Sequence, residues 1–90
     1  MSNKLKIKYK KDFTELRRLI NSWNFIPDSP LDEFDSLNHL ILSILNKEGD
    51  EFKLTKSVHH ELTINYGISF GIEESAEFVK DVKNWWMNHK

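Results

Sequence analysis

Along the ninety residues, apolar positions recur at helical spacing in four segments. From Asp12 to about Ser22, Phe13, Leu16, Ile20 and Trp23 fall at i, i+3, i+7 and i+10, and Leu19 widens the stripe. Asp12 and Glu15 stand three apart, as in a capping box at a helix start. Ser29-Pro30-Leu31-Asp32 combines an N-cap serine, a proline at the first helical position and an acid in the first turn. A second helix is therefore predicted from there to about Asn46, burying Phe34, Leu37, Leu40, Ile41, Ile44 and Leu45. A third is predicted over about Glu51 to Tyr66, with Leu54, Val58 and Leu62 in register and Gly67 as its stop. The last should run from about Glu73 to Asn88, with Ile72, Ala76, Val79, Val82 (or Lys83) and Trp86 on one face and Phe78 and Trp85 flanking. Phe70, between two glycines, should tuck back onto the core. Neighbours on a helix diverge by about 100°, so one of Trp85 and Trp86 should be partly exposed.

The start of the chain has a different period. Leu5, Ile7 and Tyr9 alternate with lysines, as in a strand, but no second alternating run exists to pair with them. An extended basic arm over residues 1–11 is expected, or an edge strand awaiting a partner, with the first helix free to start inside it. The fold class is all-α. Residues 12–90 should form one compact, bundle-like domain of four helices, antiparallel because the loops are short.

Composition narrows the function classes. With 39% hydrophobic, 30% charged and 12% aromatic residues, the chain is too apolar for disorder and too charged for a membrane protein. Absence of cysteine excludes disulfides, a thiolate nucleophile and cysteine-based zinc sites. The apolar-rich stretch Leu37 to Leu45 is broken by Asn38, His39 and Ser43 and is far too short to span a bilayer. The lysine-rich N-terminus lacks an apolar secretory core, so a cytoplasmic location without membrane partners is expected.

The formal charge of −1 conceals a split. Residues 1–18 hold seven basic and two acidic side chains, whereas residues 19–90 hold six basic and twelve acidic ones. The 28 residues from Leu19 to Asn46 contain Asp28, Asp32, Glu33 and Asp35 but no Lys or Arg. Trp23, Phe25, Ile26 and Phe34 flank those acids. Carboxylates beside aromatics suit recognition of a basic protein, the acids steering it and the rings anchoring it. Asp28, Asp32, Glu33, Asp35, Trp23 and Phe25 are thus the candidate partner-binding residues.

Chemistry has few footholds. Asp35 and His39, four apart, could share a metal, but further ligands would have to come from His59, His60 or Glu61, and there is no H-E-x-x-H pair. No G-x-S-x-G elbow or phosphate-binding glycine loop is present. A non-enzymatic protein with no metal and no cofactor is expected. The lysine arm could meet phosphates, yet the remaining domain is acidic and no helix carries a basic face, which disfavours nucleic acid. Self-association into a homodimer through Trp85, Trp86 and the Leu5-Ile7-Tyr9 arm is the alternative.

Trp23, the Pro-containing loop, Asp32-Glu33-Phe34-Asp35, Ile68-Ser69-Phe70-Gly71 and a final helix with two adjacent glutamates occur in an order that resembles the YugE-like family. These are small bacterial all-α proteins of unknown function. The resemblance covers about Leu16 to Trp86 and implies a helical architecture without assigning a site. In size, acidity and lack of cysteine the chain is also similar to bacterial immunity proteins, which neutralise a cognate toxin, often a cationic nuclease. The Tyr-Tyr motif of the colicin DNase immunity proteins is absent.

Overall fold

A computed structural model describes the backbone of residues 2–30, 32–47 and 49–89, and side chains within 8–30, 32–47 and 49–88. The described residues form four α-helices: α1 (Ser2–Ser22), α2 (Asp35–Asn46), α3 (Glu51–His60) and α4 (Ile72–His89). α3 continues into a π-helical turn over Glu61–Asn65. No strand occurs among the described residues. Expectations for the side chains of Leu5, Ile7 and Leu31 lie outside the described residues.

The all-α class holds, but the extended arm is corrected: α1 is helical from Ser2. Three alternating apolar residues fit a strand over a short window. Leu5 and Tyr9, however, also stand eight and four residues from Phe13, so they extend the same helical stripe backward. A strand without a partner leaves its backbone groups unpaired, whereas a helix satisfies them internally, and lysine is a good helix former. Tyr9 joins the bundle directly: its hydroxyl is 2.7 Å from His39 Nδ1 on α2, and its ring stacks against Phe13. Asp12 and Glu15 consequently do not stand at the helix start. They lie in mid-helix, Asp12 buried and Glu15 accepting a hydrogen bond from Trp85 Nε1 at 3.1 Å.

α1 runs antiparallel to both of its partners. Moving back along it, Arg17 meets Asp35, the Phe13 carbonyl accepts from Asn38 Nδ2 at 2.9 Å, and Tyr9 meets His39. Against α4, Trp23 Nε1 donates to Asp81, Glu15 meets Trp85, and Lys8 Nζ lies 5.9 Å from the Trp86 ring centre.

The second helix starts later than predicted. Two tight turns come first, with Glu33 N–H bonded to the Pro30 carbonyl and Asp35 N–H to that of Asp32. They deliver Phe34 into the core, and regular α-helical bonding opens with Asn38 N–H on the Phe34 carbonyl at 2.9 Å. Leu42 is fully buried and Leu40 only partly, so the inward stripe is Phe34, Leu37, Asn38, Ile41, Leu42, Ile44 and Leu45.

Asp50 caps α3 by accepting the Lys53 N–H at 2.6 Å, and Leu54, Val58 and Leu62 are fully buried as predicted. Gly67, at φ +64°, stops this segment and lets Ile68 N–H reach the Leu62 carbonyl at 2.9 Å. The face of α4 is rotated from the predicted one. Ser75, Phe78, Val79, Val82 and Trp86 are buried, whereas Ile72 and Ala76 are exposed. Phe78 decides this: Trp23 and Phe25 meet its ring edge-on at centroid separations of 5.4 and 5.2 Å, and turning it inward turns Ile72 out. Trp86 is buried and Trp85 half-buried, and both are used within the chain. No helix among the described residues is long and apolar enough to cross a membrane.

Candidate protein-binding site at the loop between α1 and α2

The loop from Trp23 to Phe34 lies over a floor of rings. Phe25 packs edge-on against Phe34, Phe70 and Phe78, at 5.6, 5.0 and 5.2 Å, and Trp23 stacks beside it at 6.0 Å. Phe70 does fold back onto the core, as its flanking glycines suggested. Such T-shaped contacts each contribute about 0.5–1.5 kcal/mol beyond burial, so the loop is held against α4 by its aromatic residues. The Trp23 indole N–H donates to Asp81 Oδ2 at 3.1 Å and fixes the same end.

Two turns shape the loop. α1 ends as Asn24 enters the left-handed region at φ 51°. Ile26-Pro27-Asp28-Ser29 then forms a β-turn closed by Ser29 N–H on the Ile26 carbonyl at 3.2 Å. Pro27 in its second position and Asp28 at φ 63° in its third match type II. Asn and Asp are the non-glycine residues that tolerate this region best.

The folded loop encloses a cavity of about 120 Å³, with Phe25, Ile26 and Phe34 as its apolar lining and Asn21, Asn24, Asp28 and Ser29 as its polar lining. At ~30 Å³ per water this is room for about four waters, or for one slender aliphatic side chain. An apolar wall with a carboxylate at hand matches the two halves of a lysine or arginine: a hydrocarbon stem and a cationic head.

The candidate residues divide into three groups. Phe25 and Asp28 come together in the cavity. Asp32 and Glu33 are exposed on the turns just beyond it. Trp23 is half-buried behind Phe25, where it positions the loop. Asp35 faces the other way: Arg17 grips it with Nε on Oδ1 at 3.1 Å and the terminal nitrogen on Oδ2 at 2.6 Å. That hydrogen bond, with the charges of Asp35 and Asp32, raises the Arg17 pKa above its ordinary value despite an opposing desolvation effect. The base-free window in sequence is therefore not base-free in space. Of its four acids, Asp35 alone takes part in a salt bridge among the described residues.

Asn21, Asn24 and Ser29 line the cavity without having been singled out in the sequence. The Pro27-Asp28 pair is the local signal that a turn there would fold the loop back. Asp35 and His39 do not converge on a shared ligand position, since one carboxylate is held by Arg17 and the imidazole by Tyr9. Among the described residues no group of three metal-ligating side chains comes together. His59 is half-buried and His60 exposed.

Tyr66 borders the same floor, its ring 4.8 Å from Phe34. Burial pushes its phenol pKa above the ordinary value, and the nearby charges of Glu61 and Glu33 add to the rise. Hydrogen bonds with the Leu37 backbone and the Ser36 hydroxyl oppose it. No protein-family model, curated protein or solved structure matches the chain, so the site is read from its own residues.

Proposed function

We propose that the protein is a non-enzymatic binding module whose loop end receives a basic side chain of a protein partner. The supporting observation is the cavity itself, where Phe25, Ile26 and Phe34 meet Asp28. A lysine or arginine stem would displace water from the apolar wall while Asp28 pairs with its head. Exposed Asp32 and Glu33 would steer the approach and raise the association rate at low salt. The likeness to small acidic immunity proteins makes a cationic toxin domain the partner of choice, with the module as its neutraliser. A YugE-like ancestry would add architecture to this proposal and no further site.

Titration of ¹⁵N-labelled protein with a short lysine peptide tests it. A norleucine peptide of equal length supplies the stem without the charge. The lysine peptide should shift amides from Asn24 to Ser29, the norleucine peptide less, and Asp28→Asn should remove the difference between them. Asparagine is the suitable replacement because it keeps the left-handed backbone that the turn requires. Equal shifts for the two peptides on the wild-type protein would contradict the assignment.

A further inference from the structure

A second charged surface lies on α1, and its residues differ in kind. Because the first eleven residues continue the helix, the N-terminal cations are arranged by helical register rather than strung along a tail. Positions 4, 11 and 18 stand seven apart and fall on nearly one line, with rises of about 10.5 Å between them. Lys8, Lys10, Lys11 and Arg18 are exposed. Lys10, Lys11, Thr14, Glu15 and Arg18 line an open groove of about 410 Å³.

Both acids in this part of the chain are drawn inward. Asp12 is 3% exposed, and Glu15 has its Oε1 on the Trp85 indole N–H at the inner side of the groove. Arg17 is taken by Asp35 and adds little to the outer face. Asp12 is thus withdrawn from solvent, while Lys10, Lys11 and Arg18 stay exposed around the groove that half-buried Glu15 also lines.

We infer that the outer face of α1, carried by Lys10, Lys11 and Arg18, is a binding surface for the phosphate backbone of duplex nucleic acid, independent of sequence. Lysines and an arginine along one helix match a row of phosphates, and such contacts act through counterion release. An α-helix of 21 residues extends about 31 Å, close to one turn of duplex, and its width fits a major groove about 12 Å across. An anionic membrane is the poorer match. Surface-lying helices need a broad apolar face, and the described residues of the groove, Lys10, Lys11, Thr14, Glu15 and Arg18, offer none. The acidic loop end is a separate surface, so the chain would bind nucleic acid with α1 alone.

Fluorescence anisotropy of a labelled duplex of about 20 base pairs, mixed with the full chain, tests this. With three cations engaged, affinity should fall about 40-fold between ~50 and ~200 mM salt. The triple variant K10Q/K11Q/R18Q changes exposed positions to another good helix former and should keep the melting profile. It should reduce the logarithmic salt slope by about 2.7 and weaken binding at least tenfold at ~50 mM salt. Lack of duplex binding at ~50 mM salt would overturn the inference. So would an unchanged slope in the triple variant, or equal or tighter binding to phosphatidylserine vesicles or to polyglutamate.

Discussion

The two charged surfaces are built by opposite means. At the loop end, Asp28, Asp32 and Glu33 sit on turns whose shape depends on rings from four parts of the chain: Phe25, Phe34, Phe70 and Phe78. On α1 the cations need only the helix, because register alone brings Lys10, Lys11 and Arg18 to one outward side. The first surface is a product of tertiary packing, the second of local structure. Damage to the core should therefore disable the loop end well before the α1 face.

Phe78→Ala is the harshest way to break that symmetry. Phe78 is fully buried under Trp23 and Phe25, and its truncation should cost about 3–5 kcal/mol, read from denaturant unfolding. In the protein that stays folded, lysine-peptide shifts at the loop should shrink while duplex affinity holds. Gly67→Ala is next, at about 1–2 kcal/mol, because φ +64° penalises a Cβ there although nothing lies close enough to clash. It touches neither surface, so both binding activities should survive at temperatures well below its lowered Tm.

Asp35→Asn links the two surfaces. Removing this partner frees the Arg17 guanidinium, which also lies 5.4 Å from the Phe13 ring centre. A modest loss of stability, smaller at high salt, should accompany duplex binding whose logarithmic salt slope steepens by up to about 0.9. An unchanged slope would show that Arg17 cannot reach the outer face.

Tyr66 reports on the floor of the loop end. Its raised pKa means that the folded state holds the phenol proton more tightly than the unfolded chain does. The resulting stabilisation is complete below the ordinary value of 10.0 and is lost as pH rises from there through the folded-state pKa. Absorbance near the phenolate band should therefore show Tyr66 ionising above its ordinary value. Glu33→Gln should lower its midpoint slightly by removing one of the two carboxylate charges that favour the neutral phenol. The smallest effect on stability belongs to Asp28→Asn, within ~0.5 kcal/mol, since the residue is exposed and asparagine suits its backbone.

Much of the architecture is legible in the chain. Leu16 and Ile20 on α1, and Leu54, Val58 and Leu62 along α3, carry the helical period plainly and are buried where it puts them. The N-terminal helix is harder to see because Leu5, Ile7 and Tyr9 satisfy a period of two as well as, at positions 5 and 9, a spacing of four. Only the continuation through Phe13 separates the two, together with the lack of a strand to pair with. The inward face of α4 is set by the fit of Phe78 among rings distant in sequence, which periodicity does not encode. Of the candidate site, Phe25 and Asp28 were visible as an aromatic beside an acid in a loop. The diversion of Asp35 to Arg17, 18 residues away, is a tertiary event. It removes from the site an acid that the linear charge pattern placed there.

The division of labour between the two surfaces is tested most directly by one amide footprint taken with two ligands. Labelled protein is titrated in parallel with the lysine peptide and with duplex DNA. The peptide should move amides from Asn24 to Ser29, and the duplex those from Lys10 to Arg18, with little overlap. Both ligands moving the same amides, or the peptide moving none at the loop, would contradict the partition of charge into two independent binding surfaces.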